Sequence, residues 1–371
     1  MNVRLVIILL AAILLAHAVL IHLLLKTGDI AATKPAADLR NDEPFIPPEP
    51  IRQEPGEKTH PELRTQPERP APVIEQPRPG KKNPVWRPLN YKNAIRGNIG
   101  SIPASRGAGA GILVNLNTRQ VLWTKNEKYA YPIASMSKLM TLMLAYEDAL
   151  DRVKYPAGLE TVVTVTHEAS LIPPSKVYLA PGEKFTLKEL MLAAAIKSAN
   201  DAAGMVAIFL GNGKMSNFVA RMNERAAELK MTSTKFFGPH GLPGKNKNLD
   251  NRSSAEDMVR LCEAYMQYDE LMEWSAIRRK TFRNIGQKNY LTLINHNNLL
   301  PGARYAVEGV TGLKTGFTNR AGFCLAVTCT RNGETLLGIF TGFRDLKGRD
   351  SFGKAVLEWG FRRSADLKKR Q

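Results

Sequence analysis

The sequence predicts an α+β domain: an antiparallel sheet flanked by helices, with an all-helical subdomain. Three observations carry this prediction. Strand-like patterns lie at the two ends of residues 92–365, and helix-period patterns fill the middle. Asn332-Gly333, set between two apolar runs, is the turn chemistry of an antiparallel hairpin. No internal repeat divides the region into modules. An antiparallel sheet whose edge strands come from both ends of the chain, backed by the intervening helices, satisfies all three.

Taken in order, residues 1–4 carry Arg4 and precede an uncharged apolar run over residues 5–25. At about 1.5 Å per residue that run spans a bilayer. The charge before it keeps the N-terminus cytoplasmic. The expectation is a single-pass signal-anchor with the rest of the chain extracytoplasmic. The alternative is a cleaved signal peptide, with Ala16-His17-Ala18, or the bond after Ala31 or Ala32, as the site. Residues 26–91 read as a disordered linker. Residues 27–90 alone carry 14 of the 23 prolines, and such a segment buries too little apolar surface to offset its ordering entropy.

The folded domain is expected over 92–365. Gly111 to Thr124 reads as two strands turning at Asn117-Thr118. A helix begins near Ser135 and is apolar almost all round, hence central and buried. Thr186 with Glu189 forms a capping box that opens a helix over Leu187–Lys197. Ser198-Ala199-Asn200 interrupts it before a second apolar helix from Asp201 to about Leu210. Helices near 216–230 and 254–268 bracket a Gly/Pro-rich loop around Phe236–Asn248. Strands follow at Leu313–Phe317, Phe323–Thr330 and Thr335–Phe343. A last helix over Asp350–Arg362 closes the domain, and 366–371 form a short basic tail.

The net charge of +18 falls mostly on the folded domain. It suits an anionic neighbourhood, yet no nucleic-acid motif is present and no nucleic-acid partner is expected. Cys262, Cys324 and Cys329 are too scattered for a disulfide framework. The last two stand at odd spacing on one strand, so they face opposite sides. The histidines lack ligand spacing, so neither a metal nor a cofactor is expected.

Ser135 and Lys138 lie three apart at a helix start and share a face. A lysine among apolar neighbours loses proton affinity and can serve as a base. Ser-x-x-Lys thus sets a nucleophile beside its activator. Alone the pattern is weak: Ser351 and Lys354 also match it, and a plain N-cap beside a surface lysine explains it as well. Lys-Thr-Gly alone is equally cheap, since Lys26-Thr27-Gly28 repeats it. The ordered triple is specific: Ser135-x-x-Lys138 on a helix, Ser198-x-Asn200 on an inter-helix loop, and Lys314-Thr315-Gly316 on a strand.

This triple resembles the penicillin-recognising serine enzymes. Its flanks narrow the resemblance to the low-molecular-mass penicillin-binding proteins, the serine-type D-Ala-D-Ala carboxypeptidases. Those flanks are Pro132 to Thr141, Ser198 to Ala202, Pro239-His240-Gly241-Leu242, Gly312 to Gly316 and Trp359-Gly360-Phe361-Arg362. The resemblance covers roughly residues 100–365 and implies a β-lactamase/transpeptidase-like fold. It implies Ser135 as nucleophile on the penultimate D-Ala carbonyl, Lys138 as its base, and Ser198 as proton relay to the leaving amine. Asn200 would hold the substrate peptide, and Lys314 and Thr315 its terminal carboxylate. Gly316 would let the strand edge approach the substrate. The N–H groups of Ser135 and Phe317 would form the oxyanion hole.

The implied partners are peptidoglycan stem peptides, β-lactams as covalent inhibitors, and the membrane through the N-terminal helix. His240 has a structural reading, as a turn residue, and a functional one, orienting the hydrolytic water. Arg349 either helps bind the carboxylate or is a solvated surface residue. The chain departs from familiar members of the group, which carry a second β-rich domain and often a C-terminal amphipathic anchor. Here the anchor is expected at the N-terminus, and only Arg363 to Gln371 follow the last motif. Members without the second domain include D,D-endopeptidases, so cleavage of crosslinks is the alternative activity. A weakly active wall-binding protein and a β-lactamase are the remaining readings. The intact motifs oppose the first, and the lack of a deacylating glutamate beside Pro239–Leu242 opposes the second.

Overall fold

The structure is a computed structural model and describes residues 86–284 and 286–370. The expected membrane segment and most of the expected linker lie outside those residues. Among the described residues no helix is long and apolar enough to cross a membrane.

Among the described residues twelve strands appear in chain order: β1 (Ile95–Arg96), β2 (Ala110–Asn115), β3 (Val121–Lys125), β4 (Tyr131–Pro132), β5 (Val162–Thr164), β6 (Lys184–Thr186), β7 (Arg252–Ser253), β8 (Arg279–Phe282), β9 (Leu291–Ile294), β10 (Val310–Thr318), β11 (Gly322–Arg331) and β12 (Glu334–Phe343). Six form the main sheet in the order β1-β3-β2-β12-β11-β10. Its two edges come from the two ends of the domain, as expected. It is antiparallel except at β1, which runs parallel to β3. The others pair as β4 with β7, β5 with β6, and β8 with β9.

Period-two alternation sorts the sheet's side chains into two cores. On one face Ile112, Val114, Cys324, Ala326, Leu337 and Ile339 meet the helical half of the domain. On the other, Leu113, Trp123, Leu325, Val327, Cys329, Leu336 and Phe340 meet Phe352, Val356 and Leu357 of the last helix. Leu122 and Trp123 share that second core because the β2–β3 register shifts between Leu113 and Val114. Cys324 and Cys329 therefore lie in different cores, and all three cysteines are buried free thiols.

The helix Lys138–Leu150 is buried over most of its surface. It packs among the helices Leu187–Ile196, Asn200–Leu210, Met215–Glu228 and Ala255–Tyr265. Thr186 and Glu189 form both halves of the capping box, at 3.1 and 2.7 Å.

Three expectations are corrected. Residues 86–91, assigned to the linker, pack on the domain: the guanidinium groups of Arg119 and Arg260 both lie over the Trp86 ring, and the Tyr91 hydroxyl donates to Glu256 at 3.0 Å. The last helix runs from Leu346 to Lys368, because Asp345 rather than a later residue caps it by accepting from Gly348 N. Residues 366–368 thus belong to that helix, and Leu367 is buried in the second core. The sequence reading also missed the helix Asp269–Ala276 and the β8–β9 hairpin.

Candidate active site

The chain reaches Ser135 through a strained turn. Ala134 has φ +46°, and the short 3-10 segment Ala134–Ser137 leads into the Lys138 helix. Ser137 Oγ donates to Ala134 O at 2.7 Å and accepts from Asn251 Nδ2 at 2.8 Å. Asn251 also accepts from the N–H groups of Phe237 and Gly238, at 2.6 and 3.1 Å. One buried asparagine thereby joins the Ser135 turn to the Gly/Pro-rich loop. Left-handed backbone at a non-glycine residue is costly and gathers at functional sites. Ser198 is a second such residue, at φ +61°.

Lys138 Nζ lies 3.0 Å from Ser135 Oγ and donates to Asn200 Oδ1 and to the His240 carbonyl, both at 2.7 Å. The side chain is fully buried, and desolvation, then the charge of Lys314, holds its pKa well below the usual lysine value. Asp201 opposes that shift only partly. Ser135 itself is half-buried, so a substrate can reach it.

Asn200 begins the second helix of the pair. Its N–H donates to Ser175 O at 2.6 Å, and its Nδ2 donates to Pro173 O at 3.1 Å. Asp201, next in sequence, accepts from Val177 N and Leu179 N at about 3.0–3.2 Å. The segment 173–179 is therefore strapped to the motif. Ser198 Oγ is buried and lacks a hydrogen-bond partner, which leaves it free for a group the site takes up.

Lys314 is buried on β10, and desolvation, then Arg349, lowers its pKa to about 7. Thr315 beside it is also buried, whereas Phe317 is exposed and its ring lies tilted against Phe323, with centroids 4.2 Å apart. A Cβ at Gly316 would stand 2.9 Å from Ile133 O and 3.0 Å from Ser135 N. The glycine thus lets β10 lie against the Ser135 turn, a contact within the protein. The sequence reading had assigned that closeness to the substrate.

His240 is placed by its backbone: its carbonyl faces Lys138 and Ser135, the latter at 3.4 Å. Its Nδ1 accepts from Leu242 N at 3.2 Å, and desolvation, then Lys138, pushes its pKa down to about 3. The imidazole is neutral and braces its own turn. Arg349 is no solvated surface residue. It is buried, paired with buried Asp350, and donates to His296 O at 3.3 Å.

His296 is a residue the sequence reading missed. Its flanking residues Asn295 and Asn297 are buried, while its own side chain is exposed. Surrounding protein, then the charges of Lys314, Lys197, Arg349 and Lys138, disfavours its protonation. Only its neighbours in space identify it, because no motif surrounds it. The decoy Ser351 sits inside the last helix, where its Oγ donates to Gly348 O at 3.3 Å. The decoy at Lys26 lies outside the described residues.

Residues 99–342 match the family model described as peptidase family S11, D-alanyl-D-alanine carboxypeptidase. The chain belongs to this family. It is 32% identical over 254 residues to the D-alanyl-D-alanine carboxypeptidase DacF of Bacillus subtilis, covering 68% of this chain and 62% of that protein. It is also 32% identical over 251 residues to a D-alanyl-D-alanine endopeptidase of Pseudomonas aeruginosa, covering 67% of this chain and 72% of that one. Among solved structures, the D-alanyl-D-alanine carboxypeptidase of Mycobacterium tuberculosis matches with a TM-score of 0.62 and 26% identity, over 74% of this chain and 96% of that one. Penicillin-Binding Protein D2 of Listeria monocytogenes, in its cefotaxime-bound form, matches with a TM-score of 0.57 and 27% identity, over 69% and 97%. The S11 chain described here thus spans less than two thirds of the Bacillus relative. Its fold is that of the penicillin-binding proteins.

Proposed function

We propose that the protein is a serine D-Ala-D-Ala carboxypeptidase that removes the terminal D-Ala from peptidoglycan stem pentapeptides. The observation that carries the reading is the setting of Lys138. A neutral amine has two N–H groups and one lone pair. The Asn200 and His240 oxygens take the two N–H groups, which leaves the lone pair for the Ser135 proton. Ser135 Oγ attacks the penultimate D-Ala carbonyl while its proton passes to Lys138. Collapse of the tetrahedral adduct breaks the C–N bond. The proton that Lys138 took passes on through Ser198, whose buried hydroxyl is otherwise unpartnered, to the leaving amine, and Lys138 is neutral again. Water then hydrolyses the ester and frees Ser135. The N–H groups of Ser135 and Phe317 hold the oxyanion in both steps. Lys314 and Thr315 pair the terminal carboxylate with charge-assisted hydrogen bonds, roughly twice as strong as neutral ones. Arg349, fixed by Asp350, adds positive potential from behind Lys314. β-Lactams would acylate the same serine.

A second reading, endopeptidase cleavage of crosslinks, is supported by the equal identity to the Pseudomonas endopeptidase. The apolar run at 5–25 and the proline-rich stretch after it support a tethered, extracytoplasmic enzyme. The test has two parts. Ser135→Ala is expected to abolish covalent labelling by a fluorescent penicillin, while Ser351→Ala labels normally. Product analysis on a muropeptide mixture is expected to show tetrapeptide accumulating with release of free D-Ala. Labelling that survives Ser135→Ala would remove the mechanism.

A further inference from the structure

The β8–β9 hairpin carries a surface that the carboxypeptidase reading leaves unused. Register pairs Arg279 with Ile294 and Thr281 with Thr292, so these four side chains share one face. All four are exposed. The opposite face holds buried Phe282 and Leu293 against the helical half of the domain. Two-residue alternation continues past the end of β9: Thr292, Ile294 and His296 are exposed, while Leu293, Asn295 and Asn297 are buried.

Side-chain hydrogen bonds hold that continuation in place. Asn295 Nδ2 donates to Ser275 O and Ile277 O, both at 3.1 Å, and Asn297 Nδ2 donates to Gly312 O at 3.2 Å, two residues before Lys314. The exposed face therefore runs without a break to His296, beside Lys314 and Arg349. That is the end of the site where the terminal carboxylate of a substrate is held.

Arg279 is the charged residue of this face, while Glu160 and Glu189 line the pocket that Thr281 borders. Residues 274–307 contain six Lys and Arg and no Asp or Glu. Arg283 is engaged with Glu183, and Arg278 with Asn295 O. Arg279 has no acidic partner among the described residues. A free D-Ala leaving group ends at Lys314 and Thr315 and never reaches the hairpin. A leaving group that is itself a peptide continues past them.

We propose that the outer face of the hairpin, Arg279, Thr281, Thr292 and Ile294, with His296 at its inner end, is a subsite for an acidic peptide on the leaving-group side of the scissile bond. Its occupant is the second stem peptide of a crosslinked dimer, whose free carboxylates complement Arg279. The subsite rests on the reading of Ser135 and Lys314 given above, and it makes crosslinked peptide a substrate of the same catalytic centre. Continuity with the carboxylate end and the unpaired cation of Arg279 together select this occupant.

The experiment uses the full-length protein in detergent, with two glycan-free substrates: a pentapeptide monomer and a crosslinked peptide dimer. The quantity read is the ratio of kcat/KM for dimer to that for monomer. Arg279→Glu and Thr281→Glu are each expected to lower the ratio about fivefold or more, with the loss shrinking at high salt. Arg279→Lys is expected to hold it within about twofold. Lys369→Glu makes the same charge change on an exposed residue at the far end of the last helix, and is expected to leave the ratio alone. An unchanged ratio in both glutamate variants overturns the subsite. So does wild-type protein that cleaves monomer but neither cleaves nor binds dimer. Wild-type protein that cleaves neither substrate and takes no penicillin label at Ser135 instead overturns the underlying reading.

Discussion

At the scale of single residues, two lysines of the same chemical type are set to opposite tasks. Both are buried, and desolvation lowers both pKa values. Lys138 also feels Lys314, and its pKa lies well below the usual lysine value, as a base requires. Lys314 titrates at about 7 and must keep its proton to pair with a carboxylate. The sign follows: below that value the pairing cation is present, and above it the cation is lost. In the free enzyme, kcat/KM on pentapeptide is therefore expected to fall as pH rises through about 7. A substrate whose terminal carboxylate is an amide should lose that fall, as should Lys314→Ala on pentapeptide. Rate measurements from pH 5 to 9 on both substrates decide it; a descending limb that persists with the amide would show that another group titrates.

At the scale of elements, the site is a seam between parts of the chain far apart in sequence. β10 meets the Ser135 turn at Gly316, the Gly/Pro-rich loop meets it at Gly241, and Asn251 ties the two loops together. Gly241 has φ +78°, and a Cβ there would stand 1.9 Å from Ala134 O, so only glycine fits. Gly316→Ala is expected to press β10 away from Ser135 N. The penicillin acylation rate should fall by about tenfold or more, with a stability loss of roughly 1–3 kcal/mol. Stopped labelling reactions and thermal unfolding measure the two effects. Acylation at the wild-type rate would mean that this seam does not set the geometry of the nucleophile.

At the scale of the whole molecule, the helical half and the last helix use opposite faces of one sheet, and the residues proposed for catalysis stand where the helical half meets edge strand β10. The tether proposed for residues 5–85 belongs to this scale too. A linker of roughly 60 residues would reach ~45 Å as a coil and about 190 Å fully extended, and under this proposal would let the domain work at a distance from the bilayer. Fractionation of cells should find the protein with the membrane and release it with detergent, not with high salt. A soluble mature form beginning near residue 33 would instead point to cleavage.

The sequence by itself determined what local chemistry can encode. Alternation gave the strands, Thr186 and Glu189 marked a helix start, Asn332-Gly333 marked a hairpin, and the ordered motifs named Ser135, Lys138, Ser198, Asn200 and Lys314. It misplaced the ends of the last helix, because Asp345 caps from outside the apolar pattern. The β8–β9 hairpin escaped notice because its strands are short and half exposed. Only the tertiary structure decided which oxygens face Lys138, that Arg349 is buried against Asp350, and that His296 stands near Lys314, Lys197, Arg349 and Lys138. The physical reason is range. Turns and caps are set by neighbours a few residues apart, whereas burial, desolvation and convergent hydrogen bonds depend on atoms brought together across the fold.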